Sequence, residues 1–236
     1  MNNNMNQEKI FLNKIGEVRC PMTEKFGLPR QSNLAEDLRG TVVFKKEYSV
    51  PEAFEGLADY EYIWIIWGFD GIGEKEGTFR PRVRPPRLGG NEFVGVFSTR
   101  SPFRPNHIGL SCVRLESVEI TDKGTVLHIS GLDMRDKTPV YDIKPYLPYV
   151  EAHPGARGGF TDKVGEHRLE VVFENTVSYL TEGDIKAITE LISQDPRPAY
   201  QDDPQRIYGM KYGGVNVKFR VEGNKAIVVA TEPCPG

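Results

Sequence analysis

The sequence predicts a mainly β protein, a small antiparallel β-barrel or sandwich followed by a small α+β domain at the C-terminus. Three observations predict it. Runs rich in Val, Ile and aromatic residues recur through the first three quarters of the chain and end at Gly, Pro or Asp, as short strands joined by turns do. Near residue 176 the texture changes to a capped amphipathic helix and two further strand-like runs. At 236 residues, with 39% hydrophobic and 27% charged, the chain has the apolar material for a sizeable core.

Taken in order, residues 1–8 are Asn-rich, lack the basic start and apolar run of a signal peptide, and read as a loose tail. Strand-like runs follow at Gly40 to Lys45, Glu61 to Phe69, Glu92 to Ser98, Gly109 to Ile120, Thr125 to Leu132 and His167 to Glu174. Ser49-Val50-Pro51-Glu52 reads as a helix start, with Ser49 as cap and proline in the first turn of a short helix over 51–57. Thr121-Asp122-Lys123-Gly124 is a hairpin turn, and the glycine-rich stretch from 148 to 165 is loop. Residues 9–176 thus form the β domain. In residues 177–236, Thr181-Glu182-Gly183-Asp184 caps a helix with Ile185, Ile188, Leu191 and Ile192 on one face. The runs Val215 to Val221 and Lys225 to Thr231 then pair across Glu222-Gly223-Asn224.

The longest apolar run, around Tyr62 to Phe69, has the length of a buried strand and is too short to span a bilayer. Cys20, Cys112 and Cys234 show no C-x-x-C spacing, which points to inert thiols in a reducing cytoplasm and to no metal site. No nucleophile elbow, P-loop or zinc-protease motif is present. A net charge of −3 argues against indiscriminate coating of nucleic acid. Local charge differs, because residues 80–104 hold six arginines (80, 82, 84, 87, 100 and 104) and one acidic residue, Glu92. Arginine suits planar carboxylate and phosphate groups, since its fork offers parallel donors.

The densest stretch is residues 98–111, Ser-Thr-Arg-Ser-Pro-Phe-Arg-Pro-Asn-His-Ile-Gly-Leu-Ser, between two strand-like runs. Pro102 and Pro105 stiffen it and Gly109 permits close approach, so Arg100 and Arg104 are presented from a rigid frame, as a ligand loop requires. Residues 25–31, 84–91 and 133–146 are equally rich in turn formers and polar groups, and all four are expected to converge at one rim of a barrel.

Five motifs carry a resemblance. They are Phe26-Gly27-Leu28-Pro29-Arg30-Gln31, Arg84-Pro85-Pro86-Arg87-Leu88-Gly89-Gly90, Thr99-Arg100-Ser101-Pro102-Phe103-Arg104-Pro105-Asn106, Ile108-Gly109-Leu110-Ser111 and Asp142-Ile143-Lys144-Pro145-Tyr146. Together they resemble the TsaA-like, or TrmO, family of S-adenosylmethionine-dependent enzymes, which methylate N6 of threonylcarbamoyladenosine beside the anticodon of threonine tRNA. Asp195-Pro196-Arg197-Pro198-Ala199-Tyr200 with Tyr208-Gly209 extends the likeness to the C-terminus.

The resemblance implies a cofactor-binding β-barrel, a small C-terminal domain that contacts tRNA, and a homodimer. It implies cofactor contacts at Pro29, Arg30, Gln31, Asp70, Gly71, Arg100, Leu110, Asp136, Lys137, Thr138 and Pro139. Three residues depart from the family pattern: Asp70 replaces histidine, Lys137 glycine and His107 proline. Arginine suits the cofactor carboxylate, and Leu110 can cover the adenine. The acceptor nitrogen is delocalised, so Asp136 or the Tyr200 hydroxyl is the candidate proton acceptor. Candidate tRNA contacts are Arg84, Arg87, Arg104, Lys144, Arg197 and Arg206, with Tyr208 as well as Tyr200 for base stacking. Arg100 is expected to face the cofactor and Arg104 the RNA. The alternatives are a related barrel that methylates a small molecule, and a non-catalytic module that binds the cofactor or RNA.

Overall fold

A computed structural model of the chain describes residues 10–69, 79–88, 92–163, 165, 167–174, 179–198, 201 and 203–234, with Arg87 described by its backbone. In chain order the strands are β1 (Gly16–Arg19), β2 (Arg39–Phe44), β3 (Tyr62–Gly68), β4 (Arg82–Val83), β5 (Val94–Gly95), β6 (Ile108–Thr121), β7 (Gly124–Ser130) and β8 (Pro139–Pro145). After them come the one-turn helix α1 (Pro148–Glu151), β9 (Glu170–Phe173), helix α2 (Glu182–Ser193), β10 (Tyr208–Tyr212), β11 (Val215–Glu222) and β12 (Lys225–Pro233).

Six strands close into an antiparallel barrel in the order β1-β2-β7-β6-β3-β8, sealed by the short β1–β8 pairing of Gly16 with Val140 and Glu17 with Pro139. Alternation drives this closure. Along β3, Ile63, Ile65 and Trp67 point inward, and along β6, Gly109, Ser111, Val113 and Leu115 do the same. Closure removes the unpaired edges that a six-stranded open sheet would expose. The second sheet has the order β10-β11-β12-β9, antiparallel apart from the parallel β12–β9 pair. Helix α2 buries Ala187, Ile188, Leu191 and Ile192 and opens with the expected capping box between Thr181 and Asp184.

The two sheets share one apolar core. Met22, Ala35 and Leu38, from the connection between β1 and β2, join the barrel residues Val18, Ile63 and Leu127 to Val217 and Phe219 of the second sheet. Gly27 sits at φ +83 against the Met210 side chain, where a Cβ would collide with the sulfur. At the same boundary the Asp37 backbone N–H donates to Glu190 of α2 at 2.8 Å.

Several expected elements differ. The run at 92–98 forms only two strand residues, paired with β4, before turning into a 3-10 helix over Val96–Ser98. The run at 167–174 joins the C-terminal sheet, because β9 finds its partner in β12. β1 and β8 take the two barrel places instead; one alternates but is only four residues long and the other is bounded by prolines, so neither stands out as a strand-like run. The helix over 51–57 is a 3-10 turn, Pro51–Phe54, capped by Val50 without a side-chain bond, while the Ser49 hydroxyl accepts from the Thr125 backbone N–H. The stretch 148–165 contains α1 and a 3-10 turn at Gly159–Lys163. The tail at 1–8 lies outside the described residues.

Candidate functional site

Barrel topology decides which loops meet. The antiparallel register brings the C-terminal ends of β1, β3 and β7 and the N-terminal ends of β2, β6 and β8 to one rim. The connections 20–38, 69–107 and 131–138 therefore all open there. The first and third carry residues 25–31 and the start of 133–146, and the second carries both 84–91, of which 89–91 lie outside the described residues, and the larger part of 98–111, so the connections that bear the four stretches open at one rim.

Side chains from the three connections touch. The Arg100 guanidinium donates to the Gln31 amide oxygen at 2.6 Å. Asp133 accepts from the Ser111 hydroxyl at 2.6 Å, and that hydroxyl accepts in turn from the Trp67 indole N–H at 2.9 Å. Trp67 reaches Ser111 because Gly109 has no Cβ; one there would sit inside the indole ring. Burial pushes the Asp133 carboxyl above the ordinary aspartate range, although the Ser111 hydroxyl, backbone amides including that of Ser32, and the charge of Arg100 pull the other way. Asn33 supports the assembly with two donated bonds, from its side-chain amide to the Cys112 carbonyl at 3.0 Å and from its backbone N–H to the Gly131 carbonyl at 2.9 Å.

Sequence reasoning named the stretch containing Asp133 but did not single out Asp133, Ser111 or Trp67. A signal existed for Ser111: it is a polar residue at an inward position of an alternating strand, and such a residue needs a buried partner.

The other expected cofactor residues divide. Pro29 is buried under the rim and Arg30 is exposed on it. Leu110 is 51% exposed on the outer face of β6, opposite in direction to Gly109 and Ser111. Asp136 to Pro139 lie on the same rim but are engaged with β1. Asp136 accepts from the Cys20 backbone N–H at 3.3 Å and stands 3.8 Å from the Arg19 guanidinium, and Thr138 is buried with its carbonyl accepting from Val18. Asp136 thus carries contacts to β1 while 19% of its side chain stays exposed. Lys137 adopts φ +67, the left-handed conformation that glycine takes without strain, which is the residue the family pattern has there. Asp70, Gly71 and Tyr200 lie outside the described residues.

The expected tRNA contacts also divide. Arg84 is exposed and stacks over Phe93 at 4.2 Å. Arg104 donates to the Thr99 carbonyl at 2.9 Å and the Ser101 carbonyl at 3.4 Å, bracing the loop that carries Arg100. Lys144 stands at the opposite rim, paired with Asp142 at 3.0 Å. Arg197, with only 11% of its side chain exposed, makes a two-pronged bond to Asp195 at 2.8 Å on each arm. Tyr208 is 6% exposed and stacks on Phe26 and Phe219, so it is a core residue with no face open for a base. Arg206 lies exposed with its guanidinium 5.5 Å from the Tyr208 ring.

The donor set can take a carboxylate. Arg100 has donors beyond the one given to Gln31, enough to take a carboxylate, and Asp133 has acceptor capacity beyond the Ser111 bond. Among the described residues no group of three or more His, Cys, Asp and Glu stands close enough to hold a metal ion. The cysteines are unpaired, and burial pushes the Cys20 thiol up to about 12 and the Cys112 thiol up to about 11, so neither is a nucleophile near neutral pH. A cleft of about 500 Å³ at the far rim, lined by Glu55, Asp59, Tyr60 and Lys144 among others, lacks any such constellation. No helix among the described residues is long and apolar enough to cross a membrane.

Known proteins match this arrangement across most of the chain. The family model of the tRNA-methyltransferase O N-terminal domain matches residues 17–152, and that of the TrmO C-terminal domain matches residues 167–234. A tRNA (adenine(37)-N6)-methyltransferase of Escherichia coli (strain K12) is 39% identical over 233 residues, covering 93% of this chain and 97% of its own. A putative S-adenosylmethionine-dependent methyltransferase, RcsF, of Pseudomonas aeruginosa is 40% identical over 214 residues, covering 87% of this chain and 90% of its own. The crystal structure of TrmO from Pseudomonas aeruginosa superposes with a TM-score of 0.78 at 30% identity, over 95% of this chain and 98% of that one.

Proposed function

The chain belongs to the TrmO family, and on that premise we propose that it transfers a methyl group from S-adenosylmethionine to N6 of the adenine at tRNA position 37. The finer assignment is threonylcarbamoyladenosine in threonine tRNA as the acceptor. One observation carries the proposal: Gln31, Arg100 and Asp133, from three separate connections, meet at a single barrel rim.

When bound, S-adenosylmethionine supplies an electrophilic methyl carbon on a positively charged sulfur. Arg100, oriented by its bond to Gln31, takes the carboxylate of the amino-acid end. Leu110, exposed near the start of β6 at the same rim, offers an apolar surface for the adenine ring. The Trp67–Ser111–Asp133 chain holds the rim rigid, and rigid placement of donor and acceptor supplies much of the acceleration of an in-line displacement. Arg84 and Arg104, on the connection between β3 and β6, and Arg206 of the C-terminal domain serve the phosphates of the RNA, together with Arg87, whose side chain lies outside what the structure describes. Binding by such contacts weakens steeply with salt. The protein acts in the cytoplasm, in keeping with its free thiols, and as a homodimer.

The test is methylation of threonine tRNA that demonstrably carries the threonylcarbamoyl group. Nucleoside mass spectrometry is expected to find one added methyl on that nucleoside and none on tRNA lacking the group. No added methyl on the modified tRNA overturns the assignment. Light scattering of the full chain tests the dimer.

A further inference from the structure

Three of the larger exposed aromatic side chains of the protein stand in one short segment. Phe97 is 70% exposed, Phe93 47% and Phe79 44%. They are held there by a small scaffold of their own: β4 pairs with β5, the Arg80 backbone N–H donates to the Phe103 carbonyl, and that of Val96 donates to the Pro81 carbonyl, each at 3.0 Å. Val96 itself is buried, which turns the next residue, Phe97, outward. The Phe79 and Phe97 rings lie 6.3 Å apart with 30° between their planes. Arginines flank the rings: Arg84 and Arg82 stand 4.2 and 5.1 Å from the Phe93 ring, Arg104 5.8 Å from Phe97, and Arg80 3.9 Å from Phe103.

The geometry points to a stacking platform for unpaired bases of the RNA substrate, with Phe97 as its main ring and the phosphates lying on Arg80, Arg82 and Arg84. This rests on the tRNA methyltransferase assignment above and adds to it the residues that splay the RNA beside the target base. Charge selects the occupant. Among the described residues no carboxylate pairs with Arg80, Arg82 or Arg84, whose guanidinia lie on aromatic rings instead and keep their charge open to an anion. A second copy docked on this face about a two-fold axis would set arginine against arginine. Single-stranded RNA brings both matching features, flat π-faces for the rings and anionic oxygens for the guanidinia, and cation–π contact already preorganises the arginines. Phe97 also lies three residues from Arg100, so bases stacked there would be beside the cofactor rim.

The experiment measures affinity of the full-length protein for an unmodified threonine tRNA transcript and for its anticodon stem-loop by fluorescence anisotropy. Phe97→Ala and Phe97→Leu are each expected to weaken binding about ten-fold, the loss of one stacked base. Phe97→Trp is expected to retain affinity, with its indole emission quenched on RNA binding. Calorimetric S-adenosylmethionine binding, which reports the fold of each variant, is expected to stay within two-fold, roughly the scatter of neutral surface substitutions. Unchanged RNA affinity in Phe97→Ala overturns the platform, as does full affinity in Phe97→Leu, which would mean burial without stacking. A drop in assembly size of Phe97→Ala at unchanged RNA affinity assigns the face to a second copy instead. If the unaltered protein neither binds nor methylates tRNA, the functional assignment falls and the platform with it; if it does both and Phe97→Ala matches it, only the platform falls.

Discussion

Arg100 and Gln31, 69 residues apart in the chain, are joined by a hydrogen bond of 2.6 Å that ties the connection after β3 to the connection after β1. The bond spends one guanidinium donor and aims the others at the rim. Arg100→Ala is expected to weaken S-adenosylmethionine binding roughly 10- to 100-fold, the worth of hydrogen bonds to a charged group. Gln31→Ala is expected to give a smaller loss by leaving Arg100 unaligned. Calorimetry checks both, and a larger loss in Gln31→Ala than in Arg100→Ala would reverse the assignment of roles.

Arg104 is expected from sequence to face the RNA, and its guanidinium donates to the carbonyls of Thr99 and Ser101 on either side of Arg100. Arg104→Ala should therefore weaken cofactor binding several-fold as well as tRNA binding, since one neutral-to-charged bond is worth about 1.5–3 kcal/mol and part is lost to loop rearrangement. Arg104→Lys should restore only part of the cofactor affinity, because both bonds come from one guanidinium nitrogen, Nη1, and the ammonium, on a stem of different length, has to reach that same point to replace it. A cofactor affinity untouched by Arg104→Ala would confine this residue to the RNA.

Asp133 provides a pH prediction. Its carboxyl is raised by burial, so the native state holds the proton more tightly than the unfolded chain does. The favourable contribution is complete below the ordinary aspartate value of about 3.9 and is lost as pH rises through the raised native value. Asp133→Asn, which keeps an acceptor for Ser111 but carries no charge, should match the unaltered protein in stability near pH 4 and exceed it at neutral pH. Urea midpoints across that range test the sign; a gap that widens toward acid would mean the bonds from Ser111 and the backbone outweigh burial.

Lys137 holds φ +67 while its backbone N–H donates to the Val18 carbonyl at 2.7 Å. That bond pins the residue in a conformation costing roughly 1–2 kcal/mol for a side chain with a Cβ. Lys137→Gly should stabilise the protein by about 1 kcal/mol, part of the relief being returned as unfolded-chain entropy. In a chain of this size that is a rise in Tm of about 2–4 °C. A fall in Tm would show that the lysine side chain contributes more than the strain costs.

Among the described residues the buried Tyr208 hydroxyl, inside a stack with Phe26 and Phe219, has no hydrogen-bond partner. An unpaired buried hydroxyl costs about 1–3 kcal/mol. Tyr208→Phe should accordingly raise stability by about 1 kcal/mol and leave tRNA affinity unchanged. Weakened tRNA binding by this variant at preserved stability would return Tyr208 to the RNA-contacting set.

What the sequence by itself determined was local. The alternation of β3, β6, β7, β11 and β12, the capping box at Thr181 and Asp184, and the loop chemistry of 25–31, 98–111 and 133–146 could be read directly, because each depends on residues adjacent in the chain. The family motifs were legible for the same reason. Tertiary structure decided what depends on partners distant in sequence. It gave β1 and β8 their places by closing the barrel, moved the strand at Glu170–Phe173 to β12, and took Tyr208, Arg197 and Asp136 into structural contacts. Only the fold could pair Arg100 with Gln31, or set Asp133 under Ser111, because a hydrogen bond between separate connections has no periodic trace along the chain.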